Sequence, residues 1–159
     1  MTRLGLTEEL PGWSHNRLER LTRRPKRHLA DPALAAADHY DTAAALTQRR
    51  DRAGQLFESA VICQIRATAD ALGLGWRFGH LRTAGGDHEV DLISDLPDGS
   101  VLAFEAKLSR TVSIADARHL QVLKEQLGTS LRAGLIVHPG ENSYRLADGI
   151  AAVARAALV

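Results

Sequence analysis

The sequence carries a single cysteine, Cys63, and only 4% aromatic residues among its 159 positions. One thiol excludes an internal disulfide and a cysteine zinc knuckle, and Cys63, set among apolar neighbours in a helical pattern, reads as a buried core thiol. No apolar run is long enough to span a membrane and none near the N-terminus suits a signal peptide, so a cytoplasmic location without membrane contact is expected. No Gly-x-x-x-x-Gly-Lys-Ser/Thr is present, which excludes a P-loop, and no Gly-x-Ser-x-Gly elbow. His15, His28, His39, His80, His119 and His138 lack metal-ligand spacing, and His88 would reach the central hairpin's charged face only if its strand twisted. No internal repeat interrupts the chain, and the one compositional bias is toward alanine.

What is present is enough to build one core: 45% of the residues are hydrophobic. The net charge of +1 hides an uneven distribution. Arg17, Arg20, Arg23, Arg24, Lys26 and Arg27 crowd one segment against only Glu19, and Arg49, Arg50 and Arg52 form a second basic cluster. A solvated face explains such clusters as readily as phosphate contacts do. The first group, with Arg82, is the expected nucleic-acid surface.

The chain is organised around residues 88–108. His88 to Ser94 alternates, Val101 to Leu108 is apolar except for Glu105 and Lys107, and Asp98-Gly99 after Pro97 supplies turn chemistry. Alternation puts Glu105 and Lys107 on one face with Ala106 pointing away, and hairpin pairing is expected to bring Asp91 beside that face. Before this hairpin, Gly54 to Leu72 has the clearest amphipathic stripe, through Leu56, Phe57, Ala60, Val61, Ile65 and Ala69. Glu58 on that helix either faces the sheet or is a first-turn carboxylate favoured by the helix dipole. Trp76 to Arg82 reads as a strand, Ser113 to Leu127 as a second helix, Arg132 to Val137 as a strand, Ser143 to Leu146 as an edge strand, and Ile150 to Val159 as an alanine-rich terminal element. Met1 to Ala30 has little core of its own and reads as a hairpin, with a helical turn that Asp31-Pro32 would start. It must pack on the later elements of the chain or on a partner, which makes a homodimer an expectation. His39 to Asp51 reads as a helix or a linker. The order predicts an α/β sandwich with a mixed central sheet flanked by helices, plus a small N-terminal hairpin and helix extension.

Two carboxylates and a lysine in this arrangement suit metal-assisted phosphodiester hydrolysis. Asp91 and Glu105 offer hard oxygen ligands to Mg²⁺ or Mn²⁺, and the carbonyl of Ala106 a further one. Lys107 would orient a water and stabilise charge on phosphorus, and Glu58 would add a ligand or position a metal-bound water. Glu89, sharing the face of Asp91, is an accessory candidate that reads more simply as a surface charge.

The run Gly54-x-Leu56-Phe57-Glu58, then Glu89-Val90-Asp91-Leu92-Ile93, then Phe104-Glu105-Ala106-Lys107 resembles the PD-(D/E)XK nuclease superfamily. It is more closely similar to the DUF4143-type domain that ends many prokaryotic P-loop ATPases. Leu10-Pro11-Gly12-Trp13-Ser14, residues 25–31 and Arg145-Leu146-Ala147-Asp148-Gly149 extend that similarity over nearly the whole chain. The resemblance implies a restriction-endonuclease-like core over 53–159. Asp91, Glu105 and Lys107 match its active-site positions and Glu58 its helix carboxylate. Residues 1–52 would be a remnant of a winged-helix and linker region. The ATPase module is missing, so the expectation is a separate ATPase partner, a shortened relative or a fragment. Three functions are open on this basis: a divalent-metal-dependent DNA hydrolase, a non-cutting module that docks DNA or an ATPase, and a purely structural ionic network, which is an expensive way to gain stability.

Overall fold

The structure, a computed structural model, describes residues 6–14, 24–38, 42–82 and 88–158. Strand β1 (Thr7–Leu10) pairs antiparallel with β2 (Lys26–Leu29) as a two-stranded ribbon. Helix α1 (Pro32–Asp38) is next, and Asp31 caps it by accepting the Ala33 N–H at 2.8 Å, with Pro32 at the position whose N–H has no helical partner. Thr42 caps α2 (Ala43–Gln48) in the same way. The long helix α3 (Arg50–Ala71) begins ahead of its apolar stripe and buries Val61, Ile62, Ile65 and Ala69.

Strands β3 (Arg77–Arg82), β4 (Glu89–Asp95) and β5 (Val101–Ala106) form an antiparallel meander. The β4–β5 turn uses Gly99 at φ +84°, and Asp98 accepts the Ser100 N–H at 3.0 Å. A capping box between Ser113 and Asp116 opens a 3₁₀ turn at Ile114–Ala117, which leads into α4 (Arg118–Leu127). The expected second helix is therefore split into two helical forms. Then come β6 (Leu131–His138), β7 (Tyr144–Ala147) and β8 (Ile150–Ala154).

The six strands lie in the order β3-β4-β5-β6-β8-β7, with β5, β6 and β8 mutually parallel and β7 antiparallel at the edge. The alanine-rich tail is thus not an appendage: β8 inserts between β6 and β7. Ile150, Ala152 and Ala154 share its buried face, while Ala151 and Val153 on the other face are half-buried. The architecture is a mixed α/β fold with a six-stranded mixed sheet and four helices among the described residues.

Each face of the sheet has its own core. On the α4 side, Val90, Ile93, Ala103, Leu120, Leu123 and Ile136 pack together. On the α3 side the set is Leu10, Val61, Ile62, Ile65, Leu92, Phe104 and Val137. The N-terminal ribbon belongs to both, because Leu10 is fully buried in the second core and Trp13 in the first. Burial of each such side chain contributes about 2 kcal/mol. The connection after β1 crosses β3 at close range: Trp13 N–H donates to the His80 carbonyl at 2.6 Å, and His80 N–H to that of Pro11 at 2.9 Å. Gly79 permits this, since a Cβ there would meet Trp13 Cβ at 3.0 Å and the Pro11 carbonyl at 3.1 Å.

One irregularity positions the site. Gly79 faces Ile93 and Leu81 faces Val90, so β4 takes three steps where β3 takes two. That is a β-bulge, with Asp91 and Leu92 opposing a single residue of β3.

Candidate functional site

Strict alternation would send Val90 and Leu92 to one face of the sheet. Instead Val90 packs on the α4 side and Leu92 on the α3 side. Glu89 and Asp91 therefore turn toward α3. Glu105 pairs with Ile136 and continues the α4-side row of Val101 and Ala103. The expectation that Asp91 would lie on the face of Glu105 and Lys107 gives way to a different arrangement, and the bulge is the reason. The two carboxylates lie on opposite sides of the sheet, and only Asp91 among them bonds to the Ala106 peptide. Asp91 Oδ2 accepts the Ala106 N–H at 2.9 Å, where a ladder bond would otherwise form.

On the α3 side, three carboxylates surround one ammonium. Lys26 Nζ lies 2.7 Å from Glu58 Oε1, 2.9 Å from Glu89 Oε1 and 3.8 Å from Asp91 Oδ1. Glu58 thus faces the sheet, and Glu89 takes part rather than standing free on the surface. Burial of the Lys26 amine works to lower its pKa, but the charge and hydrogen bond of Glu58, aided by Glu89 and Asp91, push it up to about 12. For Asp91, burial and then the negative charge of Glu58 raise the carboxyl to about 7, against the opposing bond from Ala106 and the charge of Lys26. Burial would raise Glu89 as well, yet its hydrogen bond and charge contact with Lys26 bring it below the usual range. Near neutral pH Asp91 is thus the acid of the cluster poised to exchange its proton, while Glu89 stays ionised beside the Lys26 cation.

On the α4 side, Glu105 is only 3% exposed, and its Oε2 lies 3.2 Å from Lys107 Nζ. Its Oε1 is buried with no hydrogen-bond partner among the described residues. Burial raises the Glu105 pKa, with Lys107 and the more distant Arg118 opposing. Lys107 itself is anchored by its backbone N–H, which donates to the Val137 carbonyl at 2.9 Å. Among the described residues no group of three or more His, Cys, Asp or Glu is placed to hold a metal ion.

Of the residues expected to contact nucleic acid, Arg17, Arg20 and Arg23 lie outside the described residues. Arg24, Arg27 and Arg82 are exposed, and Arg27 pairs with Glu9 at 3.0 Å. Lys26 differs from the others because it points inward as the counter-ion of the acids. The sequence signal for that is alternation in β2: Lys26 shares a face with His28, whose Nδ1 lies 3.1 Å from Ser59 Oγ on α3. In the second basic cluster Arg49 and Arg50 are exposed, while Arg52 donates to the Ala35 carbonyl at 2.8 Å and braces α1 against α3.

All of this chemistry gathers at one end of the sheet. Glu105 and Lys107 lie at the carboxyl end of β5, and β4, running the other way, begins there with Glu89 and Asp91. In sheets with parallel strands this is the end at which ligands bind. A family model for a domain of unknown function, DUF4143, matches residues 53–158. No curated protein and no solved structure matches the chain. No described helix is long and apolar enough to cross a membrane.

Proposed function

The chain belongs to the DUF4143 family, a domain of unknown function, and from that premise we propose a divalent-metal-dependent hydrolase of DNA phosphodiester bonds on a restriction-endonuclease-like sheet of the PD-(D/E)XK type. One observation carries this reading: Glu105 is a carboxylate buried to 3% exposure with an oxygen that has no partner among the described residues. A buried, unsatisfied anion costs several kcal/mol unless a proton or cation meets it. The donor set suits a hard cation, since Mg²⁺ needs only one or two carboxylates and completes its shell with water and substrate phosphate. Glu105 and the Ala106 carbonyl would hold the ion at the end of the sheet, with Asp91, and Glu58 behind it, completing the set from the opposite face. When bound, it would supply charge neutralisation at the phosphate and an acidified water.

The chain's own residues have separable parts in this scheme. Lys107, tethered to Glu105 at 3.2 Å and 40% exposed, presents a cation to the charge that develops on the phosphoryl oxygens. Asp91, poised near pH 7, can exchange a proton with a water at the pH of the cell. Burial sets that value first, and the charge of Glu58 raises it further. The Ala106 N–H orients the Asp91 carboxylate.

A second reading, a module that docks DNA or a separate P-loop ATPase chain without cutting it, is favoured by Lys26. Its ammonium already neutralises the α3-side acids, and a metal there must compete with it. The test is incubation of supercoiled DNA with Mn²⁺ or Mg²⁺, with and without chelator. Cleavage by wild type that is lost in Asp91→Ala and in Lys107→Ala supports the hydrolase. Intact DNA under every metal condition leaves the docking module.

A further inference from the structure

Beyond the acids, the same end of the sheet carries a second feature centred on Arg110. A cavity of about 620 Å³ is lined by Leu46, Thr47 and Arg50 on one side and by Leu108, Ser109 and Arg110 on the other. It lies between the α2–α3 junction and the loop that leaves β5 directly after Lys107. A smaller cavity of about 200 Å³ adjoins it through Arg110 and reaches His138, Gly140 and Tyr144. Both cavities thus open beside the carboxyl ends of β5 and β6.

The lining has the chemistry of a phosphate track. Arg50 and Arg110 are exposed and present planar forks of N–H donors. Ser109 and Thr47 also line it, but each hydroxyl already donates to a backbone carbonyl at 2.6 Å, so the donors offered to a phosphate are those of the two arginines. Among the described residues the Arg110 guanidinium pairs with Glu141 at 3.2 Å, and both side chains are more than three-quarters exposed. Exposed pairs of that kind contribute about 0–1 kcal/mol, so a phosphate displaces Glu141 at little cost. Among the residues of the smaller cavity, His138 is 1% exposed, and its Nδ1 lies 3.1 Å from both the Gly140 N–H and the Arg110 carbonyl, of which its tautomer pairs with one. Its Nε2 is buried with no partner among the described residues. Among the described lining residues Glu141 is the one acid.

We propose that the two cavities flanking Arg110 form one groove that holds consecutive phosphates of a nucleic-acid strand, with Arg50 and Arg110 as the phosphate-binding residues, and delivers that strand to Lys107. The proposal rests on the phosphodiester reading above and names the track by which its substrate would enter. It differs from the basic segment at residues 17–27, of which the described part lies on the ribbon side of α3.

The test is binding without chemistry. Fluorescence anisotropy of a labelled oligonucleotide, recorded in chelator so that no cleavage occurs, compares wild type with Arg50→Ala/Arg110→Ala. Two controls accompany it. Arg132→Ala removes an exposed charge at the opposite end of β6, beside the β4–β5 turn, and Asp91→Asn removes the proposed catalytic acid. The double variant is expected to bind at least tenfold more weakly and to reduce the slope of log affinity against log salt by about 2, one per lost phosphate contact. Arg132→Ala should change affinity less than twofold, and Asp91→Asn should bind at least as tightly as wild type. A loss for Arg132→Ala equal to that of the double variant, or no oligonucleotide binding by wild type, overturns the groove. Binding of inorganic phosphate that is lost with the two arginines, without oligonucleotide binding, also overturns it and points to a small anion. Failure of hydrolysis alone leaves these binding results intact, so the two readings fail separately.

Discussion

Replacing Asp91 by asparagine is expected to stabilise the folded chain while destroying the proposed chemistry. In the fold its carboxyl titrates near 7, against an ordinary value of 3.8. The folded state therefore binds a proton more tightly than the unfolded chain does, and stability falls as pH rises through the window from about 4 to about 7. Three units at roughly 1.4 kcal/mol each set an upper bound of about 4 kcal/mol for the destabilisation present at pH 8. Asp91 shares its field with Glu58 and Lys26, which adjust as it ionises, so about 2–3 kcal/mol is the expected gain. Asparagine retains an oxygen to accept the Ala106 N–H, and its amide can donate toward Glu58, so the bulge keeps its one fixed hydrogen bond. Urea unfolding of wild type and Asp91→Asn at pH 8 and pH 4.5 reads the effect. The gain should be full at pH 8 and shrink to about a quarter at pH 4.5, where the wild-type carboxyl is protonated in the fold. A variant no more stable than wild type at pH 8, or equally stabilised at both pH values, refutes the reasoning.

Other substitutions probe the remaining parts. Lys26→Met removes the cation from among Glu58, Glu89 and Asp91; it should cost about 2 kcal/mol at pH 8, from the rise of the lysine from 10.5 to about 12, and should push the Asp91 carboxyl above 7, visible in a carboxyl-carbon NMR titration. The stability Lys26 contributes is complete below about pH 10 and is lost only as pH rises toward 12. Glu105→Leu exchanges a buried acid for an apolar side chain of similar reach and should leave urea stability unchanged or raise it by about 1–2 kcal/mol, while abolishing any metal-dependent cleavage. Gly79→Ala drives a Cβ against the Pro11 carbonyl and Trp13, so it should destabilise by about 1–3 kcal/mol and expose Trp13 to quencher; unchanged tryptophan fluorescence would count against the close crossing.

The fold is legible where local pattern and burial agree. The α3 stripe, the Asp98-Gly99 turn, the Asp31-Pro32 cap and the apolar β5 run all carry their signal in adjacent residues. Residues 150–154 are opaque because five residues rich in alanine have neither helical nor strand periodicity, and only the pairing with β6 and β7 makes them a strand. The bulge at Asp91 is illegible for a deeper reason. Alternation over residues 89–92 gives no sign of it, the adjacent apolar pair Leu92-Ile93 being the one local hint, and the extra residue arises where β4 registers on β3 beneath the crossing N-terminal segment. That register decides which carboxylates meet: Asp91 joins Glu58 and Glu89 around Lys26, and Glu105 joins Lys107. Lys26 falls in with the basic segment in sequence because charge clusters are read along the chain, whereas its partners lie on α3 and β4.

The central claim, that the acids around the Ala106 peptide hold a divalent cation, is tested most directly by calorimetric titration of Mn²⁺ into chelator-stripped protein. Wild type should bind one ion per chain, Asp91→Ala and Glu105→Leu should lose that binding, and Lys107→Ala should keep it. No heat of binding in wild type, or binding that survives both Asp91→Ala and Glu105→Leu, would contradict the account and leave the cluster as the ionic seat of Lys26.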